Sequence, residues 1–224
     1  MRNVVRAFMT DVAEHLPLLE PIVEIGARPA EGQEEITDLR ALFPGREYIG
    51  CDIQEGPGVD RIEDVHALTF EDASVGTVLA ADTLEHVADP IRALQEIHRV
   101  LKPGGTVAIT SVMFFVIHAH PWDFWRFTPE GFERLLAPFD SRLVAAHGWD
   151  LMPETVMGVG VKGAAEPPLT LDRLPRTAAA VREWGASKPV DLGPMRLSLR
   201  ELWGITGRET LGALRRRAGK VVSR

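Results

Sequence analysis

Short β-branched runs alternate with amphipathic stretches along most of this chain, and that alternation limits the folds open to it more than any other feature. IVEIG at 22–26 is strand-like and ends in glycine; after a loop, EEITDLRALF has helical spacing and stops at Pro44 and Gly45. EYIGCDI, TVLAAD and TVAITSV are three further strands. Between the last two, PIRALQEIHRVLK reads as a helix ended by Pro103-Gly104-Gly105. Strands that alternate with helices require right-handed crossovers, so the expectation is α/β, with a mostly parallel sheet covered on both faces. SRLVAAHGW and VMGVGVKG then supply an antiparallel pair at one edge, and PEGFERLLAPF a helix before them.

Three segments follow from the pattern. Residues 1–21 form a flanking helix, with Val4, Val5, Phe8, Met9, Val12, Leu16 and Leu19 at helical spacing before Pro21. Residues 22–163 form the sheet domain. From 164 to 224 prolines become frequent among short helical pieces, which marks an extension whose Leu197, Leu199, Leu202, Trp203 and Ile205 suit either the sheet or a homodimer contact. With 224 residues and 45% apolar content the chain can bury a substantial core. Asp11 and Glu14 interrupt any leader-like apolar stretch and no apolar run approaches a membrane span of about 20 residues, so a cytoplasmic protein is expected. Cys51 alone excludes an internal disulfide and a multi-cysteine zinc site. The net charge of −7 argues against a general nucleic-acid binder, although six basic residues against Glu209 give 208–224 a local charge of +5. That basic end reads as a solvated tail.

Open parallel sheets bind ligands beyond the carboxyl ends of their strands. The first strand ends Glu24-Ile25-Gly26, and glycine keeps no side chain between a ligand and the backbone. Asp52 closes the second strand, where a carboxylate can accept both hydroxyls of a ribose. A dinucleotide would want G-x-G-x-x-G, but Arg28 and Pro29 stand in this loop, which weakens a dehydrogenase and favours a nucleoside without a diphosphate. Glu24 suits an ammonium group better than a phosphate.

The stretches VEIG, YIGCDI, RIEDVHAL and TVLAADTLEHVADPIRALQEIHRVLKPGGTVAIT resemble the class I S-adenosylmethionine-dependent methyltransferases, in the subgroup marked by LEHV.DP and RVLKPGG. The resemblance covers roughly residues 22–162 and implies a Rossmann-like sheet of seven strands, with an antiparallel edge strand and S-adenosylmethionine as cofactor. It also implies roles: Glu24 and Gly26 for the methionine end, Asp52 for the ribose, Asp64 for the adenine amine, Ile53 and Val65 beside the adenine, and Asp82 and Thr83 near the methyl group. Gly26-Ala27-Arg28 departs from the family's usual G-x-G.

In that architecture the segment after the fifth strand crosses the mouth of the site, and here it reads HAHPWDFWRFTP, residues 118–129. Thr128-Pro129 is a helix start. Histidine, aspartate and arginine are costly to bury unpaired, so this loop is expected to face a substrate. His120 first and His118 second are the candidate general bases, with Asp123 as a third catalytic group. Trp122 and Trp125 form an apolar wall, and Arg126 contacts the substrate. His86, within LEHV, is read as structural, with substrate contact as its other use. His118, His120 and Asp123 are also a candidate metal set, for which magnesium is the ion considered. Aromatic walls with polar edges suit a carbohydrate ring, and the loop resembles bacterial methyltransferases of glycan and secondary-metabolite pathways. The expected reaction is O-methylation of a sugar or saccharide hydroxyl. A phenol, quinone or amine acceptor stays open, as does a non-catalytic protein that binds the cofactor.

Overall fold

The computed structural model describes residues 2–29, 38–118, 122–149, 152–163 and 168–183, and the backbone of 189–192 and 195–198. It divides into two compact units, Met1–Glu183 and Trp184–Arg224.

The first unit is built on one seven-stranded sheet in the order β3-β2-β1-β4-β5-β7-β6. Its strands are β1 (Ile22–Ile25), β2 (Tyr48–Asp52), β3 (Arg61–Ile62), β4 (Val75–Ala81), β5 (Leu101–Val112), β6 (Ser141–Trp149) and β7 (Met152–Val161). Strands β1 to β5 pair in parallel, which gives the Rossmann-like arrangement expected. The antiparallel pair is present as well. Its reversed member is β7, which is inserted between β5 and the edge strand β6 and pairs antiparallel with both. All four residues of β1 and six of seven in β4 are buried, because these central strands are covered on both faces.

Period-two alternation divides the core. Val23, Ile25, Cys51, Val78 and Ile109 face one layer with Ala93, Leu94 and Ile97 of α2 (Pro90–Val100) and Phe132 and Leu135 of α3 (Pro129–Leu135). Ile22, Tyr48, Leu79, Ala108 and Met157 face the other, against Val5, Phe8, Met9 and Val12 of α1 (Asn3–His15). Both short helices are capped as their sequences suggest. The Asp89 side chain accepts from the Arg92 amide before Pro90, and Thr128 accepts from the Gly131 amide before Pro129.

Two elements differ from the sequence reading. Helix α2 stops at Val100, and Leu101 and Lys102 already belong to β5, with Leu101 fully buried opposite Val75. Pro103 disfavours helical backbone at the residue before it, and the next lower apolar position is claimed by the sheet. In the second unit, β8 (Pro189–Leu192) pairs antiparallel with β9 (Met195–Ser198) where short helices were expected. Pro189 and Pro194 bracket β8 and oppose helix there. Leu199, Leu202, Trp203, Ile205 and the basic run of 208–224 lie outside the described residues, as do 30–37, which include the first four residues of the helix expected at EEITDLRALF. Of that helix's span, 38–43 contains a 3-10 turn, Arg40–Leu42. Among the described residues no helix is long and apolar enough to cross a membrane.

The flanking helix is joined to α4 (Pro175–Glu183) by a buried carboxylate. Leu174, just before α4, offers no side-chain acceptor, so the orphan amide of Thr177 is met from another helix. Asp11, fully buried, accepts from the Thr177 amide at 2.7 Å, from Thr177 Oγ1 at 2.8 Å and from Arg176 at 3.1 Å. Replacing Asp11 by alanine strands two buried donors at about 1–3 kcal/mol each. The expected outcome in thermal denaturation is that Asp11→Ala lowers Tm by roughly 5–10 °C, whereas Arg176→Ala, which removes only a half-exposed partner, lowers it by a few degrees at most.

Candidate active site

Strand order reverses between β1 and β4, so their carboxyl ends open the crevice where a wound sheet takes its ligand. Gly26, directly after β1, has φ of +80°, and a Cβ there would stand 2.5 Å from Thr83 Oγ1. Glycine is therefore required, and its absence of side chain lets Thr83 donate to the Ile25 carbonyl at 3.2 Å. Asp82 also lies in left-handed backbone, at φ of +50°. Its amide donates to the Thr110 carbonyl at 3.1 Å, and its carboxylate accepts from Thr110 Oγ1 at 2.9 Å and from the Arg2 guanidinium at 2.7 Å. Sequence reasoning missed Arg2 entirely: it lies 80 positions away, just before α1, and nothing in its local pattern signals the contact.

Glu24 sits on the same face of β1 as Ile22 and is only 9% exposed. Tyr48 donates to its carboxylate at 2.7 Å, yet burial dominates and pushes its pKa up to about 7. Asp52 is half-buried and receives two backbone amides, from Gln54 at 3.0 Å and Arg28 at 3.3 Å. An ionised carboxylate offers about four acceptor positions, so two remain for hydroxyls. The Arg28 side chain turns to Gln54 at 2.7 Å. Asp64 is half-exposed and holds His66. Its carboxylate accepts from the His66 amide at 2.9 Å and lies 2.6 Å from Nδ1, contacts that keep it below the usual carboxylate range. His66 Nε2 in turn accepts from the Asp89 amide at 3.1 Å, which places the ring hydrogen on Nδ1. Ile53 is exposed and free to flank a base. Val65 is not. It is buried in the core cluster with Leu68 and Phe70. Cys51 is fully buried and its thiol is pushed up to about 12 by burial, which leaves it inert.

The LEH motif forms a 3-10 turn, Leu84–His86, directly beyond β4. Glu85 on that turn is fully buried. Ser111 donates to its Oε2 at 2.6 Å, and Oε1 has no hydrogen-bond partner. Burial first, and then the charge of Asp82, push its pKa up to about 8. The Glu85 carbonyl accepts from the amides of Phe124 at 2.7 Å and Trp125 at 3.2 Å, which docks the loop after β5 against the turn. A carboxylate oxygen of Glu85 and ring nitrogens of His86 and His118 lie within 4.8 Å of one another. The sequence assigns Glu85 no role, because nothing in its local pattern signals its complete burial.

The loop corrects two expectations. Asp123 is committed to Arg126, accepting from it at 2.5 and 2.7 Å, and is held far below the usual carboxylate range by that pair. It also accepts the His118 amide at 2.8 Å. A carboxylate engaged in this way is a positioning group and not a base or metal ligand. Arg126, expected to contact substrate, spends its remaining donors on the carbonyls of Val116 at 3.0 Å, Trp125 at 2.8 Å and Phe115 at 3.4 Å. It staples the loop. Trp122 and Phe124 stack with ring centres 6.2 Å apart and are both exposed, as is Trp125, whose indole donates to the Val87 carbonyl at 2.9 Å. His120 lies outside the described residues.

This donor set fits S-adenosylmethionine: a buried acid for an ammonium, a strand-end carboxylate for ribose hydroxyls, a further acid and an exposed isoleucine for the base. The seven-stranded sheet has the Rossmann-like fold of solved methyltransferases. Residues 34–109, about a third of the chain, match the family described as methyltransferase domain. Over 107 residues the chain is 33% identical to an uncharacterized 37.1 kDa protein in transposon TN4556 of Streptomyces fradiae, covering 38% of this chain and 31% of that one. Over 78 residues it is 37% identical to demethylmenaquinone methyltransferase of Clavibacter sepedonicus, covering 29% and 32%. The matches span about a third of the length of these curated relatives. A methyltransferase solved with the Haloferax volcanii Trm112 methyltransferase activator shares the fold at TM-score 0.52 and 19% identity, over 71% of this chain and 90% of that one.

A carboxyl that ionises near 7 when folded, against 4.5 as the ordinary value, holds an extra proton in the folded state between those limits. Its contribution to stability is present below pH 4.5 and is lost as pH rises through 7, up to about 3 kcal/mol. Denaturant titrations of wild type and Glu24→Gln should therefore diverge with pH, the variant gaining relative stability between pH 5 and 8; parallel curves would show that Glu24 ionises normally.

Proposed function

We propose that the chain is an S-adenosylmethionine-dependent O-methyltransferase of a small hydroxylated molecule, with a sugar or saccharide as acceptor. One observation carries this reading: the acids at the ends of β1, β2 and β4 sit in the same crevice rim as the Glu85–His86–His118 cluster, with exposed tryptophans beside it. The cofactor, when bound, supplies a methyl group made electrophilic by its sulfonium. Glu24 would hold its ammonium, Asp52 its ribose and Asp64 its adenine amine, with Ile53 against the ring.

The remaining work is orientation and removal of one proton. Alignment of a nucleophile can supply up to about 7–11 kcal/mol. An alcohol must also lose its proton, and a positioned base contributes on the order of 10²–10⁴-fold. The cluster at His118 is suited to that step. Asp123 lies 3.3 Å from His118 Nδ1 and stays ionised because Arg126 holds it, so it favours the ring as the ring gains charge. Trp122, Phe124 and Trp125 offer an apolar face to a ring whose hydroxyls the cluster can bind.

A second reading is favoured by the likeness to demethylmenaquinone methyltransferase: a quinone or phenol ring would use the same aromatic wall. It needs less help from a base. Transfer of labelled methyl groups onto panels of saccharides and phenols separates the two. For a sugar acceptor, His118→Ala should lower kcat by about 10²-fold or more while cofactor affinity by calorimetry stays within about twofold of wild type. Full turnover in that variant, or transfer only to phenols, would exclude the sugar reading.

A further inference from the structure

The 3-10 turn Leu84–His86 and the loop after β5 bring three metal-competent side chains to one point. A Glu85 carboxylate oxygen and one ring nitrogen each of His86 and His118 lie within 4.8 Å of one another, and the two imidazoles meet edge to face with centres 4.8 Å apart. Glu85 is fully buried, and among the described residues its Oε1 has no hydrogen-bond partner although Ser111 satisfies Oε2. Buried polar atoms are nearly always paired, so a bare carboxylate oxygen in this place points to a group that completes it.

The imidazoles are already arranged as ligands. His86 Nδ1 lies 2.5 Å from the Trp122 carbonyl, and His118 Nδ1 lies 3.2 Å from the Val116 carbonyl. A ring nitrogen that bonds a carbonyl does so as the donor, and an imidazole of that tautomer coordinates a metal through Nε2. Asp123, 3.3 Å behind His118, supplies the outer carboxylate that orients and strengthens a ligating histidine. The neighbouring cations do not oppose a metal unbalanced, because Arg2 is paired with Asp82 and Arg126 with Asp123.

We propose that Glu85, His86 and His118 form a binding site for a divalent transition-metal ion of the zinc class, with at least one coordination position open to the acceptor hydroxyl. Two imidazoles and one carboxylate favour zinc over magnesium, which prefers an all-oxygen shell. Zinc–nitrogen bonds of about 2.0–2.1 Å require ligand atoms roughly 3.3 Å apart, so binding draws the three side chains together by about 1–1.5 Å. Such an ion would bind and acidify the hydroxyl that attacks the methyl group, and His118, as its ligand, would then act through the ion and not as the direct base. The chemical role rests on the methyl-transfer reading above; the metal site itself does not.

The test uses the full-length protein, stripped with chelator and titrated with cobalt(II) chloride. One equivalent should bind with visible d–d bands of low-coordinate nitrogen ligation, and zinc chloride should displace it. His118→Asn and Glu85→Gln should each weaken cobalt binding beyond the about 10–100-fold that loss of an outer-shell partner costs, while His15→Asn on α1 leaves it unchanged. Should the buried Glu85 variant fail to fold, as seen by circular dichroism, the loop variant His118→Asn decides alone. No stoichiometric spectrum, or a spectrum retained in His118→Asn, overturns the proposal. Calorimetry with S-adenosylmethionine on the same samples separates the two readings: cofactor binding without a cobalt site removes only the metal, and a cobalt site without cofactor binding removes only methyl transfer.

Discussion

Thr83 closes over Gly26 at a distance that no other residue at position 26 would permit, and the geometry of the crevice depends on that closure. The carboxyl ends of β1 and β4 are the two walls of the switch point, and here they touch through one hydroxyl and one glycine. On either side of Thr83, Asp82 and Glu85 take fixed places, because Asp82 is tied to Thr110 on β5 and Glu85 to Ser111, its neighbour. Two adjacent residues of β5 thus set the two acids. A shift of one residue in the β4–β5 register would turn both hydroxyls to the wrong faces.

The acids of this unit are balanced unequally. Asp82 has Arg2, Asp123 has Arg126, and Asp11 has its helix amide and hydroxyl. Glu24 and Glu85 have one hydroxyl each and no cation in hydrogen-bond contact, and both are pushed toward neutrality. Perturbed acids of this kind concentrate at functional sites, where a ligand's charge completes what the fold leaves open. The two differ in what they face. Glu24 is held by the Tyr48 hydroxyl, whereas Glu85 faces two imidazoles.

Much of this was legible in the sequence, for reasons that can be traced. Runs such as IVEI and VGTVLAA are read easily because a strand buried on both faces must be continuously apolar. The acids at strand ends are visible because loss of apolar character there has no structural motive. Leu101 was misread because one apolar residue at a boundary fits helix and strand alike, and only sheet pairing with Val75 decides. Arg2 was invisible because its partner is set by tertiary approach. Val65 and Arg126 show the limit of carrying roles over by position: one is turned into the core and the other is spent on its own loop.

The loop that begins at His118 illustrates why composition alone could not divide its labour. Histidine, aspartate, arginine and tryptophan within twelve residues would serve a metal, a base or a substrate equally well. Position resolves them by contest for hydrogen bonds. The guanidinium is the strongest donor in the segment and takes the nearest carboxylate, together with three carbonyls, so Asp123 and Arg126 become the frame. The imidazole of His118 is thereby held with its back to that frame and its front toward His86 and Glu85. The tryptophans, left with no competing polar task beyond one indole bond, line the exposed side. Chemistry in this loop follows from what the ion pair leaves available, and the metal-competent cluster exists because the obvious carboxylate was already taken.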